Sequence, residues 1–350
     1  MSYTNGLDNP ELYFQTKLYT GTGSSLAITL DGSENMQPDW VWTKKRSNTG
    51  GHIINDSVRG SGKHLFANLN NAEATYDQFL TSFDSNGFTV GSSGDVNGSG
   101  NSTVAWNWKA GTTSGITQGS ATITPSSYSI NSTSCFSIIK WTGTNANATI
   151  PHGLGVAPKM IIIRRLDSTS DWVVYHSSIG NTKRIVLNSS AVQSGASSGW
   201  FNNTSPTANV FSVGTDGGSN GSTDNYIAYC FAEKTAYSKI GNYTGNGNAD
   251  GTFIYCGFKP AWVMIKPTTV AQNWQIHDTK RDGYNPNNDN LSSNNSNSEA
   301  DNKFIDIVSN GFKLRRSDVL NESGDPYIYI AFAEEPLVAN VGASIPATAR

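Results

Sequence analysis

The residues whose types could do chemistry gather in three loops. They read Asp95-Val96-Asn97-Gly98-Ser99-Gly100, Asp216-Gly217-Gly218-Ser219-Asn220-Gly221 and Asp318-Val319-Leu320-Asn321-Glu322-Ser323-Gly324-Asp325. In each, an Asn stands nine residues after a Phe, pairing Phe88 with Asn97, Phe211 with Asn220 and Phe312 with Asn321. Such tips would offer Asp95, Asn97, Asp216, Asn220, Asp318 and Asn321 to a hard cation or to the hydroxyls of a sugar, both of which want oxygen ligands. None has the alternating acidic spacing of a dedicated Ca2+ loop, and tight turns demand the same residue types. Turn chemistry is therefore the first reading and recognition the second. Trp200 and Phe201 add a further candidate, because they sit in Ser197-Ser198-Gly199-Trp200-Phe201-Asn202-Asn203, a stretch without apolar alternation. An exposed indole there would serve as a stacking surface for a ligand, or would pack on a neighbouring module or subunit.

Catalysis finds less support. Asp56 with Arg59 and Asp278 with Arg281 repeat an Asp-x-x-Arg spacing, while the corresponding place holds His176 and Ile179. A reaction would need a second carboxylate or a nucleophile with its base, so the pairs read as turn-locking ion pairs. Glu233 and Glu334 recur at the ends of similar strands and read as solvated edge charges rather than a glycosidase acid pair. The five histidines fall at no fixed metal spacing. Cys135, Cys230 and Cys256 lie in or beside apolar runs, as reduced core thiols do. No catalytic residue, metal or cofactor is assigned.

These loops must be held by something, and the chain supplies it as short aromatic and β-branched runs. Tyr226-Ile227-Ala228-Tyr229-Cys230-Phe231-Ala232-Glu233 returns as Tyr327-Ile328-Tyr329-Ile330-Ala331-Phe332-Ala333-Glu334 and, more weakly, as Thr103-Val104-Ala105-Trp106-Asn107-Trp108. Each follows a Gly/Ser/Asn/Asp-rich turn and reads as the closing strand of a repeat. A proline after a turn starts another apolar strand at Pro38, Pro158 and Pro260, where a missing N–H is tolerated. Further strands follow at His52–Asp56, Trp172–His176 and Trp274–Asp278, then leucines at Leu65, Leu187 and Leu291. Asn71–Tyr76 and Ser298–Asp301 would each form a helical turn or a loop.

The fold class expected is all-β, with three tandem repeats of a sandwich or jelly-roll-like module. The boundaries are a leader at 1–12, repeats at 13–110, 135–235 and 236–336, a Gly/Ser/Thr-rich linker at 111–134 and a tail at 337–350. The repeat is far longer than a solenoid unit, so each copy is expected to bury its own core. With 24 Lys and Arg against 27 Asp and Glu, the net charge is −3. No basic surface exists to release counterions, which argues against nucleic acid. No apolar run approaches a membrane span.

The set Tyr19-Thr20-Gly21-Thr22-Gly23, Gln37-Pro38-Asp39-Trp40-Val41-Trp42, Asp56-Ser57-Val58-Arg59-Gly60, Leu80 to Phe88 and Val104-Ala105-Trp106-Asn107-Trp108-Lys109 resembles an uncharacterised repeat domain of tail-associated virion proteins of marine bacteriophages, cyanophages included. His152-Gly153-Leu154-Gly155-Val156-Ala157-Pro158-Lys159 and Gly257-Phe258-Lys259-Pro260-Ala261 extend the likeness. The resemblance implies a non-enzymatic virion protein, made in the host bacterial cytoplasm, that acts as a tail fibre or host-recognition component. Its implied partners are other virion tail proteins, further copies of itself, with a trimer expected, and host surface carbohydrate. A purely structural tail or capsid accessory protein is the alternative, and a polysaccharide depolymerase the third. The resemblance carries over no binding residue.

Overall fold

In a computed structural model the structure describes residues 7–335, and the chain is built almost wholly of antiparallel strands. No helix among the described residues is long and apolar enough to cross a membrane. Three large sheets share one strand order. In unit 1 it runs Phe14–Thr20, Ser102–Trp108, Trp40–Lys45, His52–Asp56, Lys63–Phe66. In unit 2 it runs Phe136–Thr142, Asn225–Phe231, Met160–Arg165, Val173–His176, Ile185–Val186, and in unit 3 Ser238–Thr244, Pro326–Phe332, Trp262–Pro267, Gln275–Asp278, Asn287–Ser292. The closing strand recognised in the sequence is the second in each order, flanked on both sides, which is why it is the most apolar. Each large sheet backs onto smaller strands of its own unit to make a sandwich. In unit 3 the large and small layers are continuous in one eight-stranded sheet.

Alternation along each strand sends side chains to two different cores. The outer faces bury Phe88, Phe211 and Phe312 in three separate clusters, one per unit. The inner faces meet in a single cluster, where Trp40, Trp42, Trp106 and Trp108 pack with Met160, Ile162, Tyr229 and Phe231 and with Trp262, Met264, Ile330 and Phe332. Trp40 stacks on Tyr229 at 4.6 Å, Trp108 meets Phe332 at 5.6 Å, and Phe231 meets Phe332 at 5.8 Å, so aromatic contacts cross every seam. The expectation that each copy buries its own core is therefore corrected. Inward positions too large and apolar to face water oblige the three sheets to pack on each other.

Four side-chain donors at the seams point the same way round the ring. Trp106 Nε1 of unit 1 donates to Asp278 of unit 3 (2.9 Å), and Tyr229 Oη of unit 2 donates to Asp56 of unit 1 (2.7 Å). Trp172 Nε1 reaches the Phe66 carbonyl and Trp274 Nε1 the Val186 carbonyl, each at 2.9 Å. Two residues beyond each inward-facing Trp42, Ile162 and Met264 stands a fully buried cation. Lys44 points to the Ser296 carbonyl, Arg164 to that of Asn71 and Lys266 to that of Ser190, each in the next unit. Burial lowers Lys44 and Lys266 to about 8 and Arg164 to about 10.

Several expectations change on inspection of the strands. Segment 111–134, read as a linker, contains the strand Ser127–Asn131 paired to Phe136–Thr142, with Thr112 bridged to Ile130 and Ile123 buried. Its Thr and Ile residues supply β-propensity that the Gly and Ser content masks. The leader is partly packed, since Leu7 is buried and its N–H bonds the Thr235 carbonyl (3.0 Å). Register pairs Val174 with Ile185, as Ile54 pairs with Leu65 and Ile276 with Leu291, so Ile185 rather than Leu187 is the equivalent leucine position. Ala74–Thr75 and Ala300–Val308 are strands, not helical turns. The tail at 337–350 lies outside the described residues.

Candidate recognition site

The three recurring asparagines are fully buried and fully used. Asn97 donates to the carbonyls of Ser24 (2.5 Å) and Gly91 (2.7 Å) and accepts from Thr22 N–H (2.8 Å). Asn220 donates to Ala146 (2.6 Å) and Gly214 (2.9 Å) and accepts from Thr144 N–H (3.0 Å). Asn321 donates to Asn248 (2.7 Å) and Arg316 (2.8 Å) and accepts from Asn246 N–H (3.0 Å). Each is a clasp that ties the loop before the closing strand to the Thr-Gly turn after the first strand. Those turns approach so closely that a Cβ on Gly21, Gly143 or Gly245 would overlap the carbonyl oxygen of Gly98, Gly221 or Glu322. Ligand binding by Asn97, Asn220 and Asn321 is thus corrected to a structural role, as a buried amide demands satisfied partners.

The acids of the same loops separate. Asp318 is taken up by Arg316 at 2.6 and 2.7 Å. Asp95 lies 3.7 Å from Lys45. Asp216 accepts the Gly218 N–H at 2.7 Å, and its charge pulls on that of Arg184. Phe201 is buried against Tyr175 in the outer core of unit 2, so its predicted exposure is corrected. Its neighbour Trp200 is half-buried. Ser197 caps the single helical turn Ser198–Phe201, and no alternation appears in the sequence because the turn, not a strand, aims these rings.

Trp200 is not an open platform. The guanidinium of Arg184 lies over its ring at 3.7 Å, while the indole also packs against the outer core of unit 2. This stack stands beside a cleft of about 350 Å³ lined by Asp171, Arg184, Asn188, Ser189, Val192 and Ser194 among others. The loop forming its wall is pinned from unit 3, through Lys266 on the Ser190 carbonyl (2.9 Å) and the Gln193 N–H on the Thr268 carbonyl (2.9 Å). Asn188 is held by both ends, accepting from Trp172 N–H (2.9 Å) and donating to Asp171 (3.1 Å). Burial draws the Arg184 pKa down against the opposing pull of Asp171 and Asp216. Sequence reading missed Arg184 and Asp171. The signal lay in the register, since Arg184 precedes Ile185 as His64 precedes Leu65 and Asn290 precedes Leu291.

The other candidates for chemistry are structural. Asp56 with Arg59 and Asp278 with Arg281 are ion pairs at 2.5 Å, but they are buried and tied across seams rather than locking a surface turn. Arg281 also meets Glu299 at 2.8 Å. Glu334, expected to be solvated, is 4% exposed, and burial raises it to about 7 despite Lys280 at 3.3 Å. All five histidines are buried, and burial lowers every one, His64, His152 and His176 to about 4 and His277 to about 3. Cys135, Cys230 and Cys256 are free and buried.

Residues 9–336 match the family described as Domain of unknown function (DUF7483), and the chain belongs to that family. No curated protein and no solved structure matches it.

Proposed function

We propose that this DUF7483 protein is a non-enzymatic component of a bacteriophage virion, made in the host cytoplasm and carried on the tail, where it recognises carbohydrate on the host surface. The observation that carries the recognition part is the Arg184–Trp200 stack beside a polar cleft of about 350 Å³. A cation held over an indole, with amide, hydroxyl and carboxylate groups around it, suits a hydroxyl-rich ligand better than an apolar one. The virion part rests on the resemblance of the Tyr19-Thr20-Gly21 and Trp40-Val41-Trp42 motifs and their counterparts. A purely structural accessory role is the second reading, favoured by the clasp asparagines, whose polar atoms serve the fold. On either reading other virion tail proteins are the partners, and self-association into a trimer is decided by light-scattering mass.

Adhesion of the purified chain to marine bacterial and cyanobacterial cells, and to polysaccharide extracted from them, tests this reading. Adhesion without new reducing ends is expected. No adhesion to any surface favours the structural role, and new reducing ends would make the protein a depolymerase.

A further inference from the structure

Position by position, the three units treat one contact differently. In unit 1 His64 packs edge-on to Phe79 at 4.5 Å, and both are buried. The Gly91 N–H bonds the Phe79 carbonyl just as the Gly214 N–H bonds that of Trp200, so Phe79 and Trp200 occupy the same place. In unit 3 Asn290 stands where His64 does and is closed off by a 2.6 Å bond to Gln275. Unit 2 alone puts a cation there and leaves a cleft beside it. A half-buried arginine that makes no ion pair with any described residue costs desolvation free energy, and a fold with two apolar or neutral solutions at equivalent positions does not require it.

We infer that this cleft binds a neutral hexose through a vicinal pair of hydroxyls, bridging Arg184 and Asp171; the inference rests on the carbohydrate reading above and narrows it. The Arg184 guanidinium makes no hydrogen bond to any described residue, so its donors are open to the cleft. Asp171 uses one carboxylate oxygen on Asn188 and makes no ion pair with Arg184, so it retains an acceptor facing the same space. A donor fork and an acceptor set apart across a cleft are complementary to adjacent hydroxyls, each of which both gives and takes a hydrogen bond. Charge selects neutral over acidic sugars. Asp171 and Asp216 already oppose Arg184, so a uronate carboxylate would gain one partner and meet two like charges. Val192 supplies an apolar surface for the ring carbons. Trp200 acts here as a positioning residue that holds the guanidinium plane, and it leaves no face for sugar stacking.

Saturation-transfer NMR and titration calorimetry on the full chain test this with methyl mannoside, methyl glucoside and methyl galactoside against methyl glucuronide. Binding by at least one neutral hexoside is expected, weakened about tenfold or more by Arg184→Gln and by Asp171→Asn and unchanged by Asp95→Asn. Trp200→Phe, which keeps a ring under the guanidinium, should weaken it less than Arg184→Gln does. Unfolding midpoints of the variants exclude collapse of the cleft as the cause. Tighter binding of the glucuronide would overturn the neutral-sugar assignment while leaving glycan recognition standing. No saturation transfer to any hexoside would overturn the cleft itself. Cell adhesion undiminished in Arg184→Gln would then locate recognition elsewhere on the protein.

Discussion

Replacing Phe332 by alanine probes the shared core directly. The ring lies within 5.6 Å of Phe14, Trp108 and Tyr237, 5.8 Å of Phe231 and 5.9 Å of Trp262, so it touches side chains of all three units. It is 2% exposed, and it borders an apolar void of about 10 Å³ that offers no room for neighbours to rearrange into. A buried Phe→Ala change costs roughly 3–5 kcal/mol, from lost transfer free energy and the cavity left behind. If the three sheets depend on one core, that loss appears as a lower midpoint of a single denaturation transition followed by tryptophan emission. Phe231→Ala should behave alike, and the double variant should depart from additivity by about 0.5–3 kcal/mol, because the two rings are in contact. A separate early transition of unit 3, with units 1 and 2 unaffected, would refute the shared core. A loss under about 1 kcal/mol would refute the packing argument.

Other consequences are equally direct. Asp278→Asn weakens the charge partner of buried Arg281 and should destabilise by about 3–5 kcal/mol, whereas His176→Asn, where no ion pair exists, should cost less; equilibrium urea unfolding compares the two. Gly143→Ala drives a Cβ into the Gly221 carbonyl oxygen and should lower the thermal midpoint well beyond the effect of Gly217→Ala, where a Cβ meets nothing. Limited proteolysis should spare Thr112 and Ser127–Asn131, which are paired to their neighbours, and first cutting there would contradict the strand assignment.

The pH dependence has a definite sign. An unfolded histidine titrates near 6.5, and His176 in the fold does so at about 4 because burial penalises its cation. Between those values the unfolded chain binds more protons, so stability falls as pH drops through the window, by up to about 3 kcal/mol for this one group. His64 and His152 act in the same sense and over the same window. Glu334 acts oppositely, since its raised value means that the folded chain holds the proton longer, and its contribution is lost as pH rises through about 7. Asp289, raised by burial to about 6, acts in the same sense as Glu334, but five lowered histidines outweigh these two carboxylates, so unfolding free energy measured from pH 7 to pH 4 should decline. Constancy across that interval would show the imidazoles to be solvated.

Much of the architecture was legible because strand patterns are local. Aromatic alternation in Trp40-Val41-Trp42 and the β-branched run Ile161-Ile162-Ile163 mark strands whatever the partner, and the Asn-Gly turns mark where they reverse. Alternation alone gives no count of layers. A strand with two apolar faces fits a sheet between two cores, but nothing local says that the second core belongs to another unit. The cleft was hidden for a related reason. Arg184 follows Lys183 in an ordinary polar turn before Ile185, and only the pairing of Val174 with Ile185 aligns it with His64 and Asn290. Asn97, Asn220 and Asn321 misled in the other direction. Recurrence in all copies signals a demand that all copies share, and what they share is the clasp, not a ligand.

That asymmetry bears on how one chain comes to hold both a rigid frame and a variable site. Ion pairs reinforce the seam residues of units 1 and 3, through Asp56–Arg59 and Asp278–Arg281, with Glu73 and Glu299 beside them. Unit 2 has His176, Ile179 and Gln193 at those places and relies on its neighbours' backbone instead, through Trp172 on Phe66 and His176 on Tyr329. A homotrimer would have to accept each substitution three times, so a change that opens a cleft would open it at every seam. Covalent linkage removes that constraint. Two units can keep the contact that closes the sandwich while the third exchanges it for Arg184 on Trp200. On this argument a reverse change, Arg184→His together with Trp200→Phe, copies unit 1 into unit 2. It should close the cleft and raise stability by relieving the desolvated guanidinium, and a lower unfolding free energy in that variant would show that the cation serves the fold rather than a ligand.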